Sequence, residues 1–243
     1  MGGSIGRLTV VPSFCLLLTA MTTLSCFAEN KEPNLRYTID FTQPVETNVM
    51  AWLKHHGFRI ALDADDIKFK FNEMGLVMST NKELAGLVGV IFEKDKMLNG
   101  IDHVVIEWGV TRFPAGANWE EGNNRVAIAA MVFFGTEKIS SGLPFGIHAA
   151  PYFISPFLGE KEPYNKVYTG ALYKQGGRYV NVNSNARDAK LVVSRINVKQ
   201  LFEENFDVHP VPPVSIFAFQ MNTKDTDGDA EAFIKTVKFY SAD

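Results

Sequence analysis

Cysteine is almost missing from this 243-residue chain: there are two, Cys15 and Cys26, and both lie within the first 28 residues. Beyond that point there can be no disulfide, no thiol nucleophile and no thiolate metal site. A basic excess is missing as well. Lys and Arg number 24 against 27 Asp and Glu, a formal net charge of −3. Nucleic acid would call for a positive stripe to neutralise phosphates, and an anionic membrane surface for a polybasic cluster. The five histidines, His55, His56, His103, His148 and His209, show neither H-x-H nor H-x-x-x-H spacing, so no pair is arranged to hold one metal. After residue 28 there is no G-x-S-x-G nucleophile elbow. Internal repeats, low-complexity tracts and linkers are absent too.

What the chain does have begins with an apolar leader. Arg7 supplies a positive n-region, Leu8 to Leu24 is mostly apolar around CLLL, and Cys26-Phe27-Ala28 places small residues before a cut. The run is broken at Pro12 and Ser13 and is too short for a spanning helix. Residues 1–28 therefore read as a signal peptide cleaved after Ala28, and 29–243 as a single domain with no transmembrane segment. An exported chain without cysteine fits a bacterial envelope, either periplasmic or secreted. Lipidation of Cys26 is an alternative, although Thr23-Leu24-Ser25 sets Leu one place too late.

Hydrophobic residues make up 46% of the chain and aromatic ones 12%, ample for a packed core. The dominant stretch runs from Ile101 to Gly135. Val104, Ile106, Trp108 and Val110 alternate with Glu107, Gly109 and Thr111 as the two faces of one strand. The second segment is apolar on both faces: Val126, Ile128, Ala130, Val132 and Phe134 on one, Ala127, Ala129, Met131 and Phe133 on the other. A strand of that kind is covered on both sides. The two read as a core hairpin, with Pro114 to Asn124 as the loop at one end.

Further strands are predicted at Arg36 to Phe41, Leu87 to Phe92, Tyr152 to Ser155, Val167 to Tyr173, Tyr179 to Asn183, Lys190 to Ile196, Val214 to Met221 and Phe233 to Tyr240. Ile67 to Phe71 and Leu76 to Thr80 form a hairpin through Asn72 to Gly75. Helical spacing marks Glu46 to His56, with Trp52 as a core plug, and Val198 to Asn205. The second helix has Asn197 as N-cap and Gln200 as capping-box partner. Residues 136–163, punctuated by glycine and proline, read as irregular. Short strands at regular spacing predict an all-β, jelly-roll-like antiparallel β-sandwich with one or two short helices.

The closing pattern is a capped helix (NVKQLFEENF), a proline step, the strand VSIFAFQMN, the loop TKDTDGDAEA and the strand IKTVKF. Together with IEWGVTRFPAGANWEEGNNRVAIAAMVFFG, it resembles the exported bacterial domain-of-unknown-function family 3047. That resemblance implies export and a jelly-roll-like sandwich similar to carbohydrate-binding modules, and it brings no catalytic residue. Asn123 and Asn124 stand where the family usually has aspartates, and GLPFGIHAAPYFISPFLGEKEPYNK departs from its middle section.

Three sets of side chains are candidates for chemistry. Tyr179, Asn181 and Asn183 share a strand face opposite Val180 and Val182, and Trp119 sits in the Pro114 to Asn124 loop. An exposed aromatic stacks on a sugar ring while amides bond its hydroxyls, so these four are the ligand-binding candidates. The bland reading has Trp119 folded back over the core and the asparagines as plain surface. Asp225, Asp227 and Asp229 have the spacing of calcium ligands. Gly228, though, comes at the fourth place and Thr236 stands where a bidentate Glu belongs. They read as an Asp/Gly turn, with a structural calcium as the alternative; no other cofactor is implied. Lastly, Gly146-Ile147-His148 and the segment from Leu172-Tyr173-Lys174 to Asn183 resemble jelly-roll alginate lyases, in which a His and a Tyr move protons. His148 with Tyr173 or Tyr179 would be that pair, but the arginine-rich strand motif that neutralises a uronate is absent. The reading favoured is a non-catalytic binding protein of the envelope, with a glycan or other envelope component as partner and no nucleic acid. A polysaccharide lyase, or a structural partner in an envelope complex, is the alternative.

Overall fold

A computed structural model describes Met1 and residues 34–42, 48–141, 149–183 and 191–242. The predicted leader, its two cysteines and His148 fall outside the described residues. The strands and helices belong to one unit, Pro33–Asp243, and the fold is the predicted all-β sandwich of jelly-roll type with two short helices.

One sheet holds six strands and the other seven. The six-stranded sheet runs β11 (Val192–Asn197), β6 (Ile101–Arg112), β13 (Asp229–Ser241), β4 (Gly75–Asn81), β3 (Lys68–Asn72), with β1 (Asn34–Asp40) also paired to β13. The seven-stranded sheet runs β2 (Phe58–Leu62), β5 (Ala85–Ile91), β12 (Val214–Asn222), β7 (Val126–Ile139), β8 (Ala150–Phe157), β10 (Gly177–Asn181), β9 (Val167–Thr169). Every pairing is antiparallel except β8 with β10. From β4 to β7, and again from β11 to β13, each successive strand crosses to the opposite sheet, which is the jelly-roll habit.

That crossing corrects the reading of Ile101 to Gly135 as a hairpin. β6 pairs with β11 and β13, whereas β7 pairs with β12 and β8. The two strands belong to different sheets and contribute to one core from opposite sides. Trp108, Phe134, Phe217, Phe219 and Phe239 are fully buried in it, and the Trp108 indole donates to Ser194 Oγ at 3.0 Å.

Other departures are local. β2 was not anticipated, since FRIAL has a half-exposed pattern without clean alternation. β7 extends to Ile139 and β8 begins at Ala150, inside the segment read as irregular. Pro151 and Pro156 lie within β8, where proline normally argues against a strand. The strand expected at Val167 to Tyr173 stops at Thr169 and turns. Helix α1 is shorter than predicted (Val49–His55) and is capped by Asn48, whose Oδ1 accepts from Ala51 N at 3.0 Å. Trp52 packs against Phe41 and Phe71, and its ring stacks on His56 with centroids 3.8 Å apart. Helix α2 (Val198–Asn205) starts as expected, with Asn197 Oδ1 accepting from Gln200 N at 2.8 Å. The Gln200 side chain does not turn back to the cap but donates to Glu204 Oε1 at 2.7 Å.

Candidate functional site

A sandwich needs one apolar face per sheet, yet β7 is buried on two. Ile128, Ala130, Val132 and Phe134 point into the core. Ala129, Met131 and Phe133 point the other way, into a second cluster with Phe153 and Phe157 of β8, Tyr179 of β10 and Ala218 of β12. The outer face of the seven-stranded sheet is therefore aromatic. Trp119 lies on it, 5.0 Å from Phe157 and 4.7 Å from Tyr179 between ring centroids. Phe153 meets Tyr173 and Tyr179 edge-on at 5.3 and 5.6 Å.

Two loop systems hold this cluster down. In the first, a 3-10 turn at Trp119–Glu121 is capped by Asn118 and ends at Gly122, whose φ of 88° suits glycine. The Trp119 indole donates to Arg125 O at 3.1 Å, and its backbone N–H donates to buried Glu162 at 2.9 Å. Trp119 is buried, not the exposed stacking platform predicted; it folds back, but over the second cluster instead of the main core. Arg125 clamps the next loop, with Nε donating to Lys224 O at 2.6 Å and Nη2 to Asp225. Asn123 donates from Nδ2 to Gly116 O at 2.8 Å and to Asp225 O at 2.9 Å. An aspartate in that place has no hydrogen to give either carbonyl, which accounts for the asparagine.

In the second system, Asn181 and Asn183 are buried and tie residues 157–166 to β10. Asn181 Oδ1 accepts from Gly159 N and Asn183 N, each at 3.0 Å, and its Nδ2 donates to Glu162 O at 2.6 Å. Asn183 donates to Gly159 O at 2.7 Å. Both amides are engaged by backbone and are not presented to a ligand, a correction to the predicted sugar-binding amides. Beside them Tyr168 Oη donates to Glu120, which also receives Lys166 Nζ at 2.7 Å. Lys166, then Tyr168, holds the Glu120 carboxyl below its ordinary range, while burial and then Glu120 push the Tyr168 phenol up.

The aspartate loop does not gather around a cation. Asp225 faces Arg125, Asp227 Oδ1 accepts from Ala115 N and Asp229 N, and Asp229 pairs with Arg112 at 2.9 Å. Among the described residues no three His, Cys, Asp or Glu side chains form a group that could hold a metal. No helix among them is long and apolar enough to cross a membrane.

Between the first loop system, the 170–173 turn and β12 the aromatic cluster opens. A cavity of about 80 Å³ is lined by Trp119, Tyr173, Tyr179, Asn124, Gln220 and Asn222, with Arg125, Val126 and the 170–172 turn completing the wall. So Trp119 and Tyr179 do converge, with Tyr173 beside them, while Asn181 and Asn183 do not. Among the described residues, no protein group bonds the Tyr179 hydroxyl or the side-chain amides of Asn124 and Gln220. Burial, then Tyr173, pushes the Tyr179 phenol well above its ordinary value; burial also raises Tyr173. The Tyr179 phenol thus keeps its proton and can donate a hydrogen bond into the cavity.

Gln220 and Asn222 were missed. Their signal was present in β12, where they are the polar positions that follow Ile216 and Ala218 on the strand's outward face. A larger cavity, about 410 Å³, opens between β11 with α2 and β9 with β10, walled in equal part by aliphatic side chains (five valines, Ile196 and Leu201) and by polar or charged ones, Arg195 and Glu204 among them. Three polar groups on it already have partners: Asn197 caps α2, Ser194 accepts from Trp108, and Gln200 donates to Glu204.

No family model and no curated protein matches this sequence. Solved structures do match. The Emp46p carbohydrate recognition domain in its potassium-bound form is 12% identical at a TM-score of 0.44, over 87% of this chain and 100% of that one. CBM28, a module specific for non-crystalline cellulose, is 10% identical at 0.37, over 77% and 88%. The metal-free lectin I-B4 of Griffonia simplicifolia is 9% identical at 0.39, over 84% and 98%. Similarity at this level transfers neither a residue nor a ligand to this chain.

Proposed function

We propose that this chain is a non-catalytic glycan-binding protein whose site is the cavity on the outer face of the seven-stranded sheet. One observation carries the reading: an aromatic cluster outside the core that opens between unpartnered hydroxyl and amide groups. Aromatic faces take the C–H face of a sugar, and amides and phenols bond its hydroxyls. Glycoside hydrolysis needs two carboxyl groups flanking a bond, and the residues lining this cavity supply amides, phenols and one arginine instead. Residence in the bacterial envelope, after cleavage of residues 1–28, and kinship with family 3047 form part of the same proposal. The N-terminal sequence of the exported protein tests the cleavage: a chain that keeps Met1 overturns it.

The binding test is a glycan array followed by calorimetry. Parent protein should bind a subset of neutral glycans, and Gln220→Ala combined with Asn222→Ala should weaken that binding about tenfold, the equivalent of about 1.4 kcal/mol. No binding to any acidic or neutral glycan would sink the proposal.

A further inference from the structure

We infer that the cavity beside Tyr179 receives the acetamido group of an N-acetylated amino sugar, with the pyranose ring resting outside on the Asn124, Gln220 and Asn222 rim. This rests on the glycan reading above and narrows it to a substrate class.

Size comes first. The cavity holds about 80 Å³, whereas a cavity of about 150 Å³ is what accommodates a benzene ring. A pyranose with its hydroxyls is bulkier than benzene, so the ring cannot enter. The four heavy atoms of an acetamido substituent can.

The lining supplies the second argument. Trp119, Tyr173, Tyr179 and Val126 give apolar walls for a methyl group. Gly170 lets its turn close over Tyr179: a Cβ there would lie 2.7 Å from the Tyr179 ring. An acetamido group also brings one carbonyl and one N–H. The Tyr179 hydroxyl can donate to the first, and an Asn124 or Gln220 amide oxygen can accept from the second.

Charge decides between small substituents. Arg125 is the only charged residue among those lining the cavity, and its guanidinium donates to Lys224 O, Asn124 O and the Asp225 carboxylate. Nothing there offers a free cation to a carboxylate or phosphate, or a carboxylate to an ammonium. A neutral group fits. A bare hydroxyl, as on glucose, would leave the apolar walls uncovered.

The experiment is calorimetry of the full chain with three β-1,4 tetrasaccharides: N-acetylglucosamine, glucosamine and glucose. The N-acetylated one should bind at least about tenfold more tightly than either other. Tyr179→Phe, which keeps the ring, should remove most of that preference, and Gln220→Leu on the half-exposed rim gives the same readout should the first variant fail to fold. Equal affinity for the acetylated and glucose tetramers overturns the acetamido assignment and leaves the glycan reading standing. Binding elsewhere on the array with none to the N-acetylated tetramer does the same. No binding to any glycan overturns both.

Discussion

Asn181 shows how a residue can be read on the right face and given the wrong task. Alternation places it with Tyr179 and opposite Val180, and that geometry holds. What alternation cannot supply is the cover: the 157–166 segment descends onto that face and takes both ends of the amide. Asn181→Ala should therefore cost stability first, about 2–3 kcal/mol, since Gly159 N–H and Glu162 C=O lose their partner in a buried site. Urea unfolding measures this, and a variant as stable as the parent would contradict the clamp. Asn123 is subtler. Nothing local in NNR distinguishes it from an exposed turn residue, yet it links two loops about a hundred positions apart. Asn123→Asp should destabilise by about 1–2 kcal/mol, because it removes two donors and sets a carboxylate against two carbonyl oxygens. Thermal melting of the two forms at neutral pH checks it.

At the scale of elements, helical spacing with capping residues located both helices, and period-2 patterning located most strands, because a strand buried on one face must alternate. It failed where that premise fails. β2 is half-exposed and went unread, and of β8 only the centre, Tyr152 to Ser155, was legible, because its outer residues include two prolines, which are ordinarily excluded from a sheet interior. Sheet membership was illegible for a different reason: two strands joined by the thirteen-residue connection Phe113 to Arg125 look alike whether they pair or cross the core, and only the partners decide. A register test exploits the lack of cysteine after residue 28. Val193 of β11 lies opposite Glu107 of β6, and directly opposed antiparallel residues have Cα atoms about 4.5–5.5 Å apart, within disulfide range. Val193→Cys with Glu107→Cys should oxidise to an intramolecular disulfide, seen as faster migration on a non-reducing gel. If the pair stays reduced under mild oxidant, β11 does not border β6 in this register. The hairpin between β3 and β4 has its own sensitive point. Gly75 has φ of 95°, and a Cβ there would lie 2.2 Å from Ile234 O, so Gly75→Ala should lose more than about 1 kcal/mol in chemical denaturation.

For the whole molecule, buried phenols tie stability to alkaline pH, three beside the second aromatic cluster and one, Tyr37, against the main core. Burial raises the phenols of Tyr37, Tyr173 and Tyr179, and together with Glu120 that of Tyr168, from an ordinary value of 10.0. A phenol that holds its proton more tightly when folded stabilises the fold fully below the unfolded value. That contribution is lost as pH climbs from there through the folded value. The melting temperature should therefore show no tyrosine-linked decline between pH 7 and 9 and should fall steadily above about pH 10. Tyr179→Phe removes one of the contributing protons and keeps the ring, so its decline above that pH should be shallower than the parent's. Phenolate absorbance, followed alongside the melt, separates the two arms: exposed tyrosines ionise first without loss of structure, and the buried ones only as the sandwich opens. Ionisation of every tyrosine near pH 10 with the fold intact would show that the outer face is wet, and the aromatic cavity would lose its basis along with the pH prediction.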